Sequence, residues 1–173
     1  WEQALHLMLR MPGRGLQASV ITHSSVLKAC AEGKQWAGAL QLLRDMRWCK
    51  LQPNVITYNA TISVCEKGKR WAHAIGLYAA MQRHDVHPDI ITYNSSISAC
   101  EKGRQWAQAL LLMGELRERR LAPDVITHNA LLSAFEKGAQ WEVALRARAL
   151  MLEDRVCPDV ISHSAVISAC EKG

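Results

Sequence analysis

Apolar positions along this chain fall into two alternating stripes. In one segment Tyr93, Ile97 and Cys100 stand at i, i+4 and i+7, the spacing of one helix face, and Gly103 supplies the small residue that suits a helix end. Trp106, Ala109, Leu110, Met113 and Leu116 follow at i, i+3, i+4, i+7 and i+10, which predicts a second amphipathic helix that stops before Pro123. The pattern therefore predicts a helical hairpin. Helices of about 12 residues are marginal in isolation, and one hairpin has no second layer to cover its apolar stripes, so the hairpin needs neighbours.

The neighbours are copies of itself. "PDIITYNSSISACEKGRQWAQAL" at Pro88 is nearly repeated as "PDVITHNALLSAFEKGAQWEVAL" at Pro123. Trp1, Trp36, Trp71, Trp106 and Trp141 lie 35 residues apart, as do Pro53, Pro88, Pro123 and Pro158. Four complete copies are expected at 20–54, 55–89, 90–124 and 125–159. A partial copy at 1–19 would hold only a second helix, and another at 160–173 only a first. The expected fold class is all-α, a right-handed α-solenoid of stacked helix-turn-helix hairpins with a 35-residue period, cut from a longer array. Ala39, Ala74, Ala109 and Ala144 share the twentieth slot and mark the expected tight crossing of paired helices.

On a wheel of about 100° per residue, slots 4, 8 and 11 of the first helix (Tyr58, Ile62 and Cys65 in one copy) form a core face. Another face carries Ile at the second slot (Ile21, Ile56, Ile91, Ile126, Ile161) and a small polar residue at the fifth (Ser24, Asn59, Asn94, Asn129, Ser164). The last slot, in the turn before the next first helix, is Asn54, Asp89, Asp124 or Asp159. An apolar shelf beside polar groups suits flat ligands with polar edges.

Composition narrows the classes. With 49% hydrophobic and 21% charged residues the chain is not disordered, and a formal charge of +5 with pI near 9.0 is compatible with a polyanionic partner. No apolar run approaches the roughly 18 residues that cross a bilayer, and the segment from Trp1 resembles neither a signal nor a transit peptide, so a soluble chain with no membrane partner is expected. No nucleophile elbow, phosphate-binding glycine loop, convergent carboxylate pair or metal motif is present. The expectation is a protein that is not an enzyme, with no cofactor and no small-molecule substrate.

Cys30, Cys65, Cys100 and Cys170 occupy one core slot, and Phe135 fills it in the remaining copy, which is the behaviour of a packing residue. Cys49 and Cys157 are expected to be free thiols near turns. His84, Asp85 and His87 form an "HDVH" found in no other copy, while His23, His128 and His163 replace Tyr at the fourth slot as core-edge aromatics. The periodic Trp residues are assigned to packing between copies, and Arg148 is expected to reach solvent from an otherwise apolar stripe.

"VITYNATISVCEKGKRWAHAIGLYAAMQRHDVHPD" resembles the pentatricopeptide repeat, whose 35-residue hairpins carry a "VTYN…A…M…PD" pattern, and the resemblance covers essentially the whole chain. It implies binding of single-stranded RNA at one base per repeat. The second-slot Ile would sandwich each base, and the fifth and thirty-fifth residues would contact its Watson–Crick edge. By resemblance Asn59 with Asp89, Asn94 with Asp124, and Asn129 with Asp159 are uracil pairs, and Ser24 with Asn54 an adenine pair, giving 5′-A-U-U-U-3′. Ser164 implies a purine next. Lys67, Lys102, Lys137 and Lys172 at the thirteenth slot would lie near phosphates, whereas Glu32 holds that slot in the first complete copy. "CEKG" sits one residue earlier than the common family pattern, and Trp at the seventeenth slot is unusual. The resemblance also implies a mitochondrial or plastid setting in RNA processing, editing, stability or translation, alongside other RNA-processing proteins. The alternative is a tetratricopeptide-like scaffold for protein partners, whose period is about 34 residues.

Overall fold

The computed structural model describes residues 1–11, 13 and 16–173. Among these the secondary structure is helical, with no strand. The helices are α1 (Glu2–Arg10), α2 (Val20–Glu32), α3 (Trp36–Trp48), α4 (Val55–Lys67), α5 (Trp71–Arg83), α6 (Ile90–Lys102), α7 (Trp106–Glu118), α8 (Val125–Lys137), α9 (Trp141–Glu153) and α10 (Val160–Lys172). Their starts recur every 35 residues from α2 onward. None among the described residues is long and apolar enough to cross a membrane.

The helices group into two compact units, Trp1–Pro88 and Asp89–Gly173. In the first, α2 packs on α1, α3 and α4, and α4 also packs on α3 and α5. In the second, α8 is central, touching α6, α7, α9 and α10. Each unit is a stretch of α-solenoid in which a first helix is covered by its own partner and by the first helix of the adjacent copy.

Local chemistry sets the helix starts. The last residue of each copy caps the next first helix: Ser19, Asn54, Asp89, Asp124 and Asp159 each accept from the backbone N–H three residues on, and Thr22, Thr57, Thr92, Thr127 or Ser162 returns the bond. Such capping boxes contribute about 1 kcal/mol each. The second helices have Gln35, Arg70, Gln105 and Gln140 at the cap without a side-chain bond, so tertiary packing carries them.

The helix-ending glycine has a different cause from the one the pattern suggests. Gly33 and Gly138 have φ of −79° and −90°, and the left-handed residue is the next one, Lys34 (φ 53°) or Ala139 (φ 53°). Gln35 N–H donates to Cys30 O at 3.0 Å and Lys34 N–H to Ala31 O at 3.3 Å, which closes the helix end without needing glycine at that point. What requires glycine is the tryptophan of the preceding copy. A Cβ on Gly138 would lie 2.6 Å from Trp106 Cδ1, one on Gly68 3.1 Å from Trp36 Cδ1, and one on Gly173 2.2 Å from Trp141 Cδ1. Trp and Gly share a period because an indole edge fills the space where a side chain would be.

In the second unit the seam consists of Ile97, Cys100, Ala109, Leu112, Leu116, Leu131, Phe135, Ala144 and Met151, all fully buried. Burying a Leu side chain contributes roughly 1.5–3 kcal/mol. Leu112, not Leu110, belongs to this seam: Leu110 is exposed, because the 3.6-residue period runs from Ala109 through Leu112, Met113 and Leu116, with Trp106 at the seam's edge. In the first unit Leu27, Cys30, Ala39, Leu42 and Val64 form the equivalent cluster, flanked by Trp36. Cys65 and Cys100 are buried free thiols whose pKa burial raises to about 12. Cys49 and Cys157 are exposed, and so is Cys170 on α10, which packs only on α8 and α9.

Candidate nucleic-acid interface

The second residue of each first helix points away from the seam. Ile21, Ile56, Ile91, Ile126 and Ile161 are 78%, 54%, 57%, 62% and 59% exposed, an unusual place for a recurring Ile on helices whose core-facing stripe is covered.

Beside this shelf, the second unit binds its fifth-slot amides into a network. Asn94 Nδ2 donates to both carboxylate oxygens of Asp124 at 3.2 and 3.3 Å, and Asn129 Nδ2 to those of Asp159 at 3.2 and 3.0 Å. At the other end of each amide, Thr127 Oγ1 donates to Asn94 Oδ1 at 2.6 Å and Ser162 Oγ to Asn129 Oδ1 at 2.5 Å. The fifth and last residues of one copy and the third of the next thus meet, because the last residue is also the cap that positions the third. An amide has two N–H groups and two lone pairs. With one of each engaged, each Asn retains one donor and one acceptor.

Both carboxylates are held ionised. Partial burial disfavours charge on Asp124, but the bonds from the Thr127 backbone, the Thr127 hydroxyl and Asn94 outweigh it and lower its pKa. Asp159 is lowered chiefly by the Ser162 backbone bond.

The first unit arranges the same slots differently. Ser24 is half-buried on α2 and Asn54 is exposed at the cap of α4, and no hydrogen bond joins them. Asn59 lies nearly covered on α4 at 9% exposure. Asp89 caps α6 in the second unit, and Ser164 is exposed on α10.

The thirteenth-slot lysines sit at first-helix C-termini, where the helix dipole favours a cation. Three of them also pair across copies: Lys67 with Glu32 at 2.8 Å, Lys137 with Glu101, and Lys172 with Glu136 at 2.7 Å. The Glu of "CEKG" is the partner in the second unit. In the copy where that slot is Ala31, Glu32 substitutes one residue later, so its departure from the lysine pattern preserves the pairing. Lys102 is the last residue of α6.

Sequence reasoning missed a partly buried polar cluster around the fourth-slot residue. In the second unit Asp154 Oδ2 accepts from Arg117 at 2.5 Å and from His128 Nε2 at 3.0 Å, and burial lowers the His128 pKa despite the bond it makes to Asp154. In the first unit the Arg47 guanidinium instead donates to the Tyr58 hydroxyl at 2.5 Å. The signal was present as Arg at the twenty-eighth slot of both copies. Arg148 reaches not only outward but to His163 Nε2 at 3.3 Å.

Comparisons with known proteins agree with the geometry. A "PPR repeat family" model matches residues 53–102 and 88–137, and a "Pentatricopeptide repeat domain" model matches residues 6–68. No curated protein matches the sequence. Among solved structures, the pentatricopeptide repeat protein PPR10 in complex with an 18-nt psaJ RNA element superposes with TM-score 0.79 at 28% identity, over 91% of this chain and 23% of that one. The PPR domain of Arabidopsis thaliana protein-only RNase P 1, in complex with tRNA, gives TM-score 0.76 at 17% identity over 85% of this chain and 78% of that one. PPR10 from maize gives 0.79 at 24% identity over 97% and 24%. The chain thus spans about a quarter of the length of the PPR10 chains.

Proposed function

Since this chain belongs to the pentatricopeptide repeat family, we propose that it is a non-catalytic module that binds single-stranded RNA, one base per repeat, with 5′-A-U-U-U-3′ as the preferred core. The observation that carries this reading is the amide network beside an exposed Ile. Asn94 and Asn129 each keep one donor and one acceptor, the complement of uracil's N3–H and neighbouring carbonyl. Ile126 and Ile161 offer flat apolar surface next to them. Asn59 with Asp89 would read the second base and Ser24 with Asn54 the adenine, with Ser164 favouring a purine beyond. That PPR10 is in complex with an RNA element in its structure, at 28% identity, supports RNA as the partner class.

Lys67, Lys102, Lys137 and Lys172 would attract phosphates, three of them after exchanging or sharing their glutamate partners. A setting in organellar RNA processing, editing, stability or translation, with other RNA-processing proteins, follows from the family. The tetratricopeptide-like scaffold has less support, because helices recur every 35 residues and the matching models are of the pentatricopeptide type.

The test is fluorescence anisotropy with short RNAs carrying A-U-U-U or a scrambled core at two salt concentrations. Preferential binding that weakens with salt is expected, and Asn94→Ser should move the third-base preference from U towards G. Equal binding to both RNAs would sink the reading.

A further inference from the structure

A pocket of about 220 Å³ in the first unit contains none of the residues assigned to base reading. It lies where the end of α3 and the turn after it meet α4 and the end of α5. Arg47, Lys50, Gln52, Tyr58 and His84 line it, and no carboxylate does.

We propose that this pocket is an anion site that takes a phosphate monoester, either free in solution or at the end of an RNA. The site stands apart from base reading and does not depend on it.

The second unit fills the equivalent place from its own chain. Two periods further on, Arg47, Lys50, Tyr58 and His84 become Arg117, Arg120, His128 and Asp154. There the Asp154 carboxylate accepts from Arg117 at 2.5 Å and from His128 Nε2 at 3.0 Å. The first unit keeps the donors and puts an imidazole, which always carries an N–H, where the carboxylate would be. Lys50 and Arg120 both stand on left-handed backbone, at φ 55° and 57°, so a basic side chain leaves the turn from the same geometry in each unit. The same receptor is thus built twice, once with an anion included and once without.

Tyr58 supplies an independent observation. Its side chain is 1% exposed, and its hydroxyl accepts from the Arg47 guanidinium at 2.5 Å. A guanidinium only donates, so the phenol proton cannot return to it, and no acceptor for that proton occurs among the described residues. Arg47 and Lys50 likewise form no ion pair among the described residues. A buried donor and two unneutralised cations therefore face one small space.

Their number and the size of that space point to phosphate. A phosphate monoester carries a charge of about −1.5 to −2 near neutral pH, which two cations balance, whereas a carboxylate carries only one charge. The pocket is also several times the roughly 30 Å³ share of one water, which leaves room for a tetrahedral group with three acceptor oxygens.

The test is an NMR titration of the whole chain with inorganic phosphate, set against acetate at equal ionic strength. Saturable shifts at Lys50, Tyr58 and His84 are expected with phosphate and not with acetate. Lys50→Asn, which suits left-handed backbone, should weaken phosphate about fivefold or more. His84→Asp copies the second unit and should abolish saturation by filling the pocket with its own carboxylate. Asp154→His should open a second saturable site at Arg117 and His128. A-U-U-U RNAs ending in a phosphate or a hydroxyl separate the sources: a gain in affinity that Lys50→Asn removes assigns the phosphate to RNA, and equal binding assigns it to a free ester. Shifts that do not saturate, that acetate reproduces, or that His84→Asp leaves unchanged overturn the inference. If the chain proves not to bind RNA, the phosphate titration still decides this site.

Discussion

The two units use the same slots with different coupling. In the second, Asn94 with Asp124 and Asn129 with Asp159 are joined before any ligand is present, while in the first Ser24 and Asn54 make no bond to each other. The second unit ties its fourth-slot His128 to Asp154 and Arg117, where the first closes the same position with Arg47 on Tyr58. A preset polar group loses less freedom on meeting a ligand than a loose one, so tight reading should concentrate in the second unit.

The largest difference should come from the glycine turns. Gly138→Ala drives a Cβ to 2.6 Å from Trp106, which is expected to cost about 1–3 kcal/mol by overpacking, while Gly68→Ala at 3.1 Å from Trp36 should cost less. Thermal and urea unfolding of the two variants measures this. Equal losses would show that the indoles adapt equally in both units.

A smaller effect is expected from building the second unit's coupling into the first. Ser24→Asn with Asn54→Asp should turn the first-base preference from A to U, by about 1–2 kcal/mol of discrimination. Binding to A-U-U-U and U-U-U-U cores reads the change, and an unaltered preference would mean that the pairing matters less than its surroundings.

The smallest effect is in pH. His128 is kept neutral by burial, so its folded pKa lies below the ordinary 6.5. Unfolding then takes up a proton, and the second unit should be fully stabilised above that value and lose stability as pH falls through it. His128→Tyr, the residue the first unit carries at Tyr58, should flatten melting temperature between pH 7.5 and 5. Losses from Asp124, Asp159 and Glu136, whose pKa values are lowered, belong to a separate window below about 4. A wild-type melting temperature that does not change from pH 7.5 to 5 would count against a neutral buried histidine.

Period, helix pairs and seam were legible in the sequence because they depend on spacing, and spacing survives without coordinates. The exposed Ile shelf was legible for the same reason. One position was misread. Leu110 fitted a helical template as well as Leu112 did, since a short stripe admits two phases. Gly103 and its equivalents do stand just past the first helices, as the pattern indicated, but the spatial neighbour of Gly33, Gly68 and Gly138 is an indole 32 residues earlier, which no local pattern reveals. The hydroxyl–amide–carboxylate network and the Glu–Lys pairing also join residues 30 to 36 apart. Each was present as a recurring residue type in a slot, but its partner lay a helical hairpin away, at the far end of the same copy or in the next one.

The indole resting on the next turn's glycine bears on how such an array can be recombined. Copies sharing both residues can be exchanged, duplicated or removed at any boundary within a unit, because every cut regenerates the same contact. A graft whose turn carries even a methyl group at that point would meet a bulky ring with nowhere to go. Compatibility between segments is thus written in one small residue and one large one, independently of what any segment reads.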